Sequence, residues 1–321
     1  HGTMTSGLTL KLDHEDYSFT SGLTSYESLS TSRNNDRYTY VLPYYNFSKT
    51  LFSDSNGTIN FSSSGDNTLR STNNLKSMIN NDINYQSTDI YSNLGFVSNY
   101  GIYVKNLNVV AKNDARYRSS PQSEILNINE FNISFPMIKD LDESYDFLTP
   151  KIAFRVNPSN MKNHSTNGAL ITTDSVFAIS RLGLSESYES GKTLTLGIDY
   201  RKENKEDIDK FFEVKLAQVL RDTPEYKIPK SSSLQGKSSN LFGSVENKFS
   251  DYFTFNYDFS LDNDFSTFEH NNIKTEFKID NFITEFHFHE QNGKVGDSNY
   301  YANTSTVSID DYNSLIFKTR R

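Results

Sequence analysis

Hydrophobic and polar positions alternate one by one along much of this chain, most clearly over residues 252–262. One side of this run carries Phe253, Phe255, Tyr257, Phe259 and Leu261, and the other carries Thr254, Asn256, Asp258, Ser260 and Asp262. Successive side chains of a β-strand point to opposite faces of the sheet. The run therefore predicts a strand with one apolar face and one polar face.

The same period of two recurs in other segments. Apolar positions alternate with polar ones in the runs Leu194, Leu196, Ile198 and Tyr200; Phe212, Val214 and Leu216; Ile273, Phe277 and Ile279; Phe282, Phe286 and Phe288; Leu8, Leu10 and Leu12; and Tyr38, Tyr40, Leu42 and Tyr44. Long polar stretches rich in turn-forming residues separate these runs at residues 62–74, 157–167, 201–210, 222–240 and 291–299. A much shorter connection, Asp280-Asn281, joins two of them.

Long loops at one end and short turns at the other are typical of an outer-membrane barrel. We therefore predict an all-β fold, a large antiparallel transmembrane β-barrel. At roughly 10 residues per strand plus connections, the chain holds about 12 to 15 strands. No domain boundary is visible, so residues 1–321 are predicted to be part of one barrel domain.

The composition agrees with strands that are apolar on one side. Only 35% of the residues are hydrophobic and the mean hydropathy is -0.63, yet aromatic residues reach 14%. A membrane barrel tolerates such polarity because its lumen is polar, whereas disordered chains are poor in aromatics. The net charge of -8 argues against nucleic acid as a partner. No apolar run approaches the roughly 20 residues of a membrane-spanning helix.

The alternation assigns side chains to the two faces of the predicted barrel. The lipid-facing candidates are Leu194, Leu196, Ile198, Phe253, Phe255, Tyr257, Phe259 and Leu261. The lumen-facing candidates are Glu213, Lys215, Asn256, Asp258, Lys274, Glu276, Lys278, Glu285, His287 and His289. Their charges are of both signs, which suits a plug or an amphipathic cargo better than an ion-selective filter.

Few residues suggest chemistry. His287 and His289 share one strand face beside Glu285, a spacing that can chelate a metal, but no third ligand is identifiable and a polar lumen face explains them. The acidic cluster around Asp140 lacks the pattern of a calcium loop. No phosphate-binding loop or catalytic set with familiar spacing occurs. We therefore predict no enzyme activity, no metal and no cofactor.

The middle of the chain resembles one family, the LPS-assembly outer-membrane proteins (the LptD or organic-solvent-tolerance family). Residues 176–186 are similar to its "lF..nRf.G.D" motif through Phe177, Arg181 and Gly183, with Ser180 in place of the usual Asn. Residues 189–197 resemble its next strand through Gly191 and Gly197, and Gln218 and Gly243 match later elements, with Ala217 in place of the usual Gly. The resemblance is firm across residues 176–243 and looser from about residue 38 to the end.

The resemblance implies a translocon that inserts lipopolysaccharide into the outer leaflet of the bacterial outer membrane. It also implies a lipoprotein plug similar to LptE, a periplasmic bridge protein similar to LptA, and an N-terminal jellyroll and closing strands outside this chain. We accordingly expect an internal piece of a longer barrel, since no signal peptide opens the sequence. The alternatives are another outer-membrane barrel, such as a porin or a plugged transporter, and a secreted β-rich adhesin.

Overall fold

The computed structural model describes residues 2–29, 37–70, 73–310 and 312–321. Among these residues, eighteen strands make up one sheet. The first nine are β1 (Thr3–Asp13), β2 (Tyr17–Ser28), β3 (Tyr38–Ser53), β4 (Gly57–Arg70), β5 (Asn74–Ser87), β6 (Ile90–Tyr91), β7 (Val97–Lys112), β8 (Gln122–Ser134) and β9 (Met137–Asp140). The remainder are β10 (Ser144–Asn157), β11 (Gly191–Asn204), β12 (Phe211–Arg221), β13 (Leu241–Asn247), β14 (Phe253–Leu261), β15 (Phe268–Ile279), β16 (Phe282–Gln291), β17 (Ser298–Ser308) and β18 (Ser314–Arg320).

The sheet is an antiparallel meander in which each long strand pairs with the next long strand of the chain. The short strands β6 and β9 are side pairings of β7 and β10. The predicted all-β, antiparallel barrel class is confirmed. Within the described residues β1 and β18 are not paired with each other, and both are solvent-exposed along their whole length.

The connections differ between the two ends of this meander. One end carries tight turns such as residues 14–16, 54–56 and 280–281. The opposite end carries the long connections at residues 113–121, 158–190 and 222–240. The predicted division into a short-turn end and a long-loop end is therefore present.

The two longest connections fold inward against one face of the sheet. We call residues 158–190 the first inner segment and residues 222–240 the second inner segment. The first segment is contacted by Lys76 on β5 and, eight strands further along the chain, by Ser244 on β13. Six strand pairings separate β5 from β13 in the ladder, so the first inner segment extends across a large part of the face that it covers. The face toward the segments is the inner wall, and the opposite face is the outer wall.

Apolar residues from both segments and from the wall form the largest core. It consists of Met161, Ile171, Val176, Leu182, Ala217, Val219, Ile228, Leu234 and Phe242. By contrast, large apolar residues on the outer wall are exposed, as Leu8 (71%) and Ile125 (70%) show. The inner wall is thus polar or covered by the two inner segments, and much of the outer wall is apolar. Among the described residues, no helix is long and apolar enough to span a bilayer.

Three expectations about individual elements are wrong. Residues 62–74 are not a loop but mostly the second half of β4, whose outer positions Ser63, Gly65 and Asn67 hide the period of two. The alternation through Tyr38, Tyr40, Leu42 and Tyr44 breaks at a bulge between Val41 and Tyr44, which turns Tyr44 to the inner wall. The eighteen described strands exceed the predicted 12 to 15, because β6 and β9 have only two and four residues and several connections have only two or three.

Candidate functional site

The first inner segment is fastened to the wall by a buried guanidinium. Arg181 donates from Nε and Nη2 to the two carboxylate oxygens of Glu189, at 2.6 and 2.8 Å. Its other hydrogen bonds reach the hydroxyls of Thr195 (3.0 Å) and Thr193 (3.3 Å) on β11, and the carbonyl oxygen of Val176 (3.1 Å). The guanidinium therefore joins the middle and the end of the segment to one strand.

Two further arginines complete this cluster. Arg221, at the end of β12, pairs with Glu189 and donates to the carbonyl oxygen of Ser190 at 2.6 Å. Arg155, on β10, pairs with Glu130 on β8 and also donates to the carbonyl oxygen of Phe177. We call Glu130, Arg155, Arg181, Glu189 and Arg221 the charged cluster. It holds three positive and two negative groups away from water.

The carboxyl group of Glu189 is held in its charged form. Burial alone would raise its pKa, but the charge and hydrogen bonds of Arg181, with Arg221 and Arg155 nearby, lower the pKa to about 2. A buried carboxylate needs such compensation, because an isolated buried charge is very costly. The cluster is therefore a fixed attachment over the neutral pH range.

Glycines let the segment approach the wall closely. A Cβ on Gly197 would lie 2.7 Å from the ring of Phe177, which rests on the inner wall at this position. Gly191 has a φ of +90°, and a Cβ there would lie 2.9 Å from Nη1 of Arg221. Gly183 has a φ of +65°. Side chains at these positions would push the segment away or strain its backbone.

A second group of charges attaches the far side of the segment. Glu186 accepts hydrogen bonds from Lys76 on β5 and from Arg116 in the loop 113–121, both at 2.9 Å. Nη1 of Arg116 also lies 2.8 Å from Nδ1 of His164, whose side chain is fully buried. Burial and the charge of Arg116 lower the pKa of His164. Nδ1 therefore accepts, and the ring proton sits on Nε2.

The second inner segment returns to the wall through amide and hydroxyl groups and one carboxylate. Gln218, on the outer side of β12, donates to Ser238 Oγ (3.0 Å) and to the carbonyl oxygen of Ser239 (3.1 Å). Asn240 donates to Ser260 Oγ on β14 (2.9 Å) and to Glu269 on β15 (2.6 Å). Gly243 faces outward beneath the ring of Phe259, where a Cβ would meet that ring at 2.0 Å.

Of the family-motif residues, those at the inner wall come together. Phe177, Arg181, Gly191 and Gly197 belong to one unit around the charged cluster, with Gly183 in the same segment. Gln218 and Gly243 lie on the other side of the sheet, on β12 and β13. The sequence singled out Arg181 and placed Glu189 at the start of a resembling strand, but it did not reveal Arg221, Arg155 or Glu130. Only their charge marks these three residues in the sequence. The strand register that pairs Glu130 with Arg155 cannot be deduced from the residues next to either of them.

The ladder register places the predicted facing residues on two opposite sides. The inner-wall side carries Glu213, Lys215, Asn256, Asp258, Lys274, Glu276, Lys278, Glu285, His287 and His289. The outer-wall side carries Leu194, Leu196, Ile198, Phe253, Phe255, Tyr257, Phe259 and Leu261. Lys215 reaches inward to Asp174 of the first inner segment at 3.3 Å. Contact of these two faces with lumen water and with lipid stays a prediction.

The two histidines of the sequence prediction belong to a larger aromatic cluster. His287 Nε2 lies 2.7 Å from Oδ1 of Asn272, and the His289 ring stacks on Tyr300 at 5.1 Å between centroids. His270, which the sequence analysis missed, lies 5.3 Å from the His289 ring. Within the described ranges no group of three or more His, Cys, Asp or Glu is arranged to hold a metal ion.

Comparisons with known proteins return distant structural likenesses. No family model and no curated protein matches the chain. A mutant ferric enterobactin receptor, PfeA of Pseudomonas aeruginosa in complex with enterobactin, aligns with a TM-score of 0.41 and 7% identity over 99% of this chain. The FrpB iron transporter of Neisseria meningitidis aligns with a TM-score of 0.37 and 10% identity over 99%. The chain spans 60% of the length of each.

Proposed function

We propose that this chain is part of an outer-membrane β-barrel that conducts a cargo along its inner wall, past two segments of its own that narrow the path. The observation that carries this proposal is the first inner segment, which the charged cluster fastens to the wall. A loop that buried charges hold against the inner wall narrows the path along that wall.

The outer wall supports placement in a membrane. From β10 to β14 its side chains are almost continuously apolar, as Phe154, Leu196 and Phe255 illustrate. Transmembrane barrels carry such an apolar band outside and polar groups inside. A soluble sheet of this size would instead bury its apolar face in a core.

The inner wall supports a cargo larger and less uniformly charged than an inorganic ion. Lys274 and Lys278 alternate with Glu276 on β15, and Glu285 lies opposite Glu276 on β16. Ion-selective constrictions carry rings of one sign. A wall of mixed sign solvates sugars, phosphates and zwitterions alike, so a polar or amphipathic molecule fits it better.

Within this class we favour lipopolysaccharide as the cargo. The motif residues that carry the resemblance to the LPS-assembly proteins, Phe177, Arg181 and Gly197, pack together at the inner wall. The partners implied are a lipoprotein plug similar to LptE and a periplasmic bridge protein similar to LptA. A plugged transporter for another solute is the second candidate, since the inward-folded segments equally suit a closed transport path.

The test is depletion of the full-length protein in its host, followed by rescue with the parent or with Arg181→Ala. Surface lipopolysaccharide is measured with an impermeant reagent, and uptake of small polar solutes is measured in parallel. We expect surface lipopolysaccharide to fall on depletion and to recover with the parent gene. Loss of solute uptake with normal surface lipopolysaccharide would transfer the assignment to a porin or plugged transporter.

A further inference from the structure

The outer wall of β4, β5, β7 and β8 departs from the apolar pattern seen on the outward sides of β11 and β14. Its outward positions include Ser63, Asn81, Asn106, Asn108, Ser123, Asn127 and Asn129, which we call the polar patch. Register partners run across it, because Ser63 lies opposite Asn81 and Asn81 lies opposite Asn106. The side chains from Ser63 to Ser123 therefore form one row across four strands, while the outward Ile125 lies between Ser123 and Asn127 on β8.

Hydrogen bonds link the polar patch from strand to strand. Ser63 Oγ donates to Asn81 Oδ1 at 2.8 Å, and Asn81 Nδ2 donates to Asn106 Oδ1 at 3.3 Å. Asn108 Nδ2 donates to the same oxygen at 2.6 Å, and Asn106 Nδ2 donates to Ser123 Oγ at 3.2 Å. The side chains are thus held in a fixed array on the surface.

Acyl chains are a poor cover for this array. Each amide has two donor hydrogens and an oxygen that accepts two hydrogen bonds. The row of hydrogen bonds from Ser63 to Ser123 leaves some of these donors and acceptors unused. Hydrocarbon satisfies none of the remaining groups, and buried polar groups without partners are costly. The outward residues of β11, in contrast, include Leu194, Leu196 and Ile198. The polar patch therefore suits a protein neighbour better than it suits acyl chains.

We propose that a second copy of this chain covers the polar patch, forming a side-by-side pair of barrels in the membrane; this rests on the proposed membrane placement. A two-fold contact brings a surface against itself, so the surface must be its own complement. Amides meet this condition because each carries both donors and acceptors. The patch contains no charged residue, so two copies would not repel each other.

The shape of the area is also suited to self-association. Ile125 lies on β8 directly opposite Asn106 of β7, and its side chain projects outward with 70% exposure. Beside it, the small residues Gly65 and Ser77 leave a groove of about 430 Å³, which Tyr45 borders and which lies mostly against apolar groups. A projection and a groove side by side on one face can interlock when the face meets its own copy.

Site-directed crosslinking of the full-length protein in its own membranes tests this proposal. The 321 residues contain no Cys, so Asn106→Cys introduces the only thiol of this part of the protein. Leu196→Cys on the outer side of β11 is the matched control. Two differently tagged copies are expressed together and treated with a short bis-maleimide. Heat-modifiable gel mobility of each variant reports separately whether the barrel has formed.

We expect Asn106→Cys to give a product of twice the monomer mass that carries both tags, at least tenfold more than Leu196→Cys gives. Adding Asn81→Leu and Asn108→Leu should reduce that product without changing heat-modifiable mobility. Equal crosslinking at the two sites, no crosslinking in a correctly formed barrel, or a product with a different protein would each overturn the second copy as the occupant. Failure of the heat-modifiable form in the parent protein would instead count against the proposed membrane barrel.

Discussion

At the scale of single residues, Arg181 has the largest consequences because its side chain is fully buried and joins four partners. Replacing it with Ala leaves Glu189 in a buried site with one counter-ion fewer. Breaking a buried pair in this way costs about 3 to 5 kcal/mol. Lys at this position keeps the charge but loses the two-pronged contact, so Arg181→Lys should be intermediate.

Limited proteolysis of the first inner segment in the full-length protein measures this effect. Arg181→Ala should be cleaved within residues 158–190 much faster than the parent, while Arg118→Ala, an exposed arginine in the loop 113–121, should behave like the parent. Equal cleavage rates for the two variants would show that the charged cluster does not hold the segment.

The pKa of Glu189 predicts a pH dependence at the same site. Its folded-state pKa of about 2 lies below the ordinary value of 4.5. A depressed carboxyl pKa stabilises the attached segment fully above the ordinary value, and this contribution is lost as the pH falls from 4.5 toward 2. Cleavage of the segment by an acid-active protease should therefore accelerate across that window. Glu189→Gln should remove most of the acceleration, and an unchanged profile in this variant would contradict the assignment.

At the scale of elements, strand β14 gives the sharpest test of which side of the sheet faces lipid. Phe255 lies on the outer wall and Asn256 on the inner wall. If the outer wall meets lipid, Phe255→Arg should cost about 2 to 4 kcal/mol near the bilayer midplane, whereas Asn256→Arg should be mild. The measurement is the fraction of full-length protein in the heat-modifiable form. A similar decrease of the heat-modifiable fraction in both variants would refute the prediction that the outer wall faces lipid.

The first inner segment predicts a closed path. Replacing residues 160–186 with a short Gly-Ser linker in the full-length protein should raise single-channel conductance severalfold, because the segment lies against the inner wall from β5 to β13. The matched control replaces residues 205–210, a connection at the short-turn end. Conductance that is the same with and without residues 160–186 would show that the segment does not limit the path.

The elements also show how far sequence patterns reach. Strand β14 is predictable because every odd position is apolar and every even position is polar. Strand β4 is not, because Ser63, Gly65 and Asn67 replace apolar residues at three successive outer positions and interrupt the alternation. The inward folding of residues 158–190 leaves no periodic signal, since an irregular segment is fixed by distant partners such as Lys76.

At the scale of the whole molecule, local alternation predicts the fold class but not the curvature of the sheet. Alternation assigns each residue to a face, and the meander follows from the short turns between neighbouring strands. Curvature depends on twist and register summed over many strands. The charged cluster depends on the strand register, because it joins the neighbouring strands β8, β10, β11 and β12 through one interior segment.

Our central claim is that one wall of this sheet faces lipid while the other encloses a polar path, and a cysteine scan of the full-length protein in membranes tests it most directly. Single Cys residues replace the positions from Thr254 to Leu261, a stretch within a chain that contains no Cys. We expect a membrane-impermeant maleimide to label Thr254, Asn256 and Asp258, and a lipid-soluble probe to label Phe255, Tyr257 and Phe259. Labelling without this period of two, or uniform labelling by the impermeant reagent, would contradict the claim.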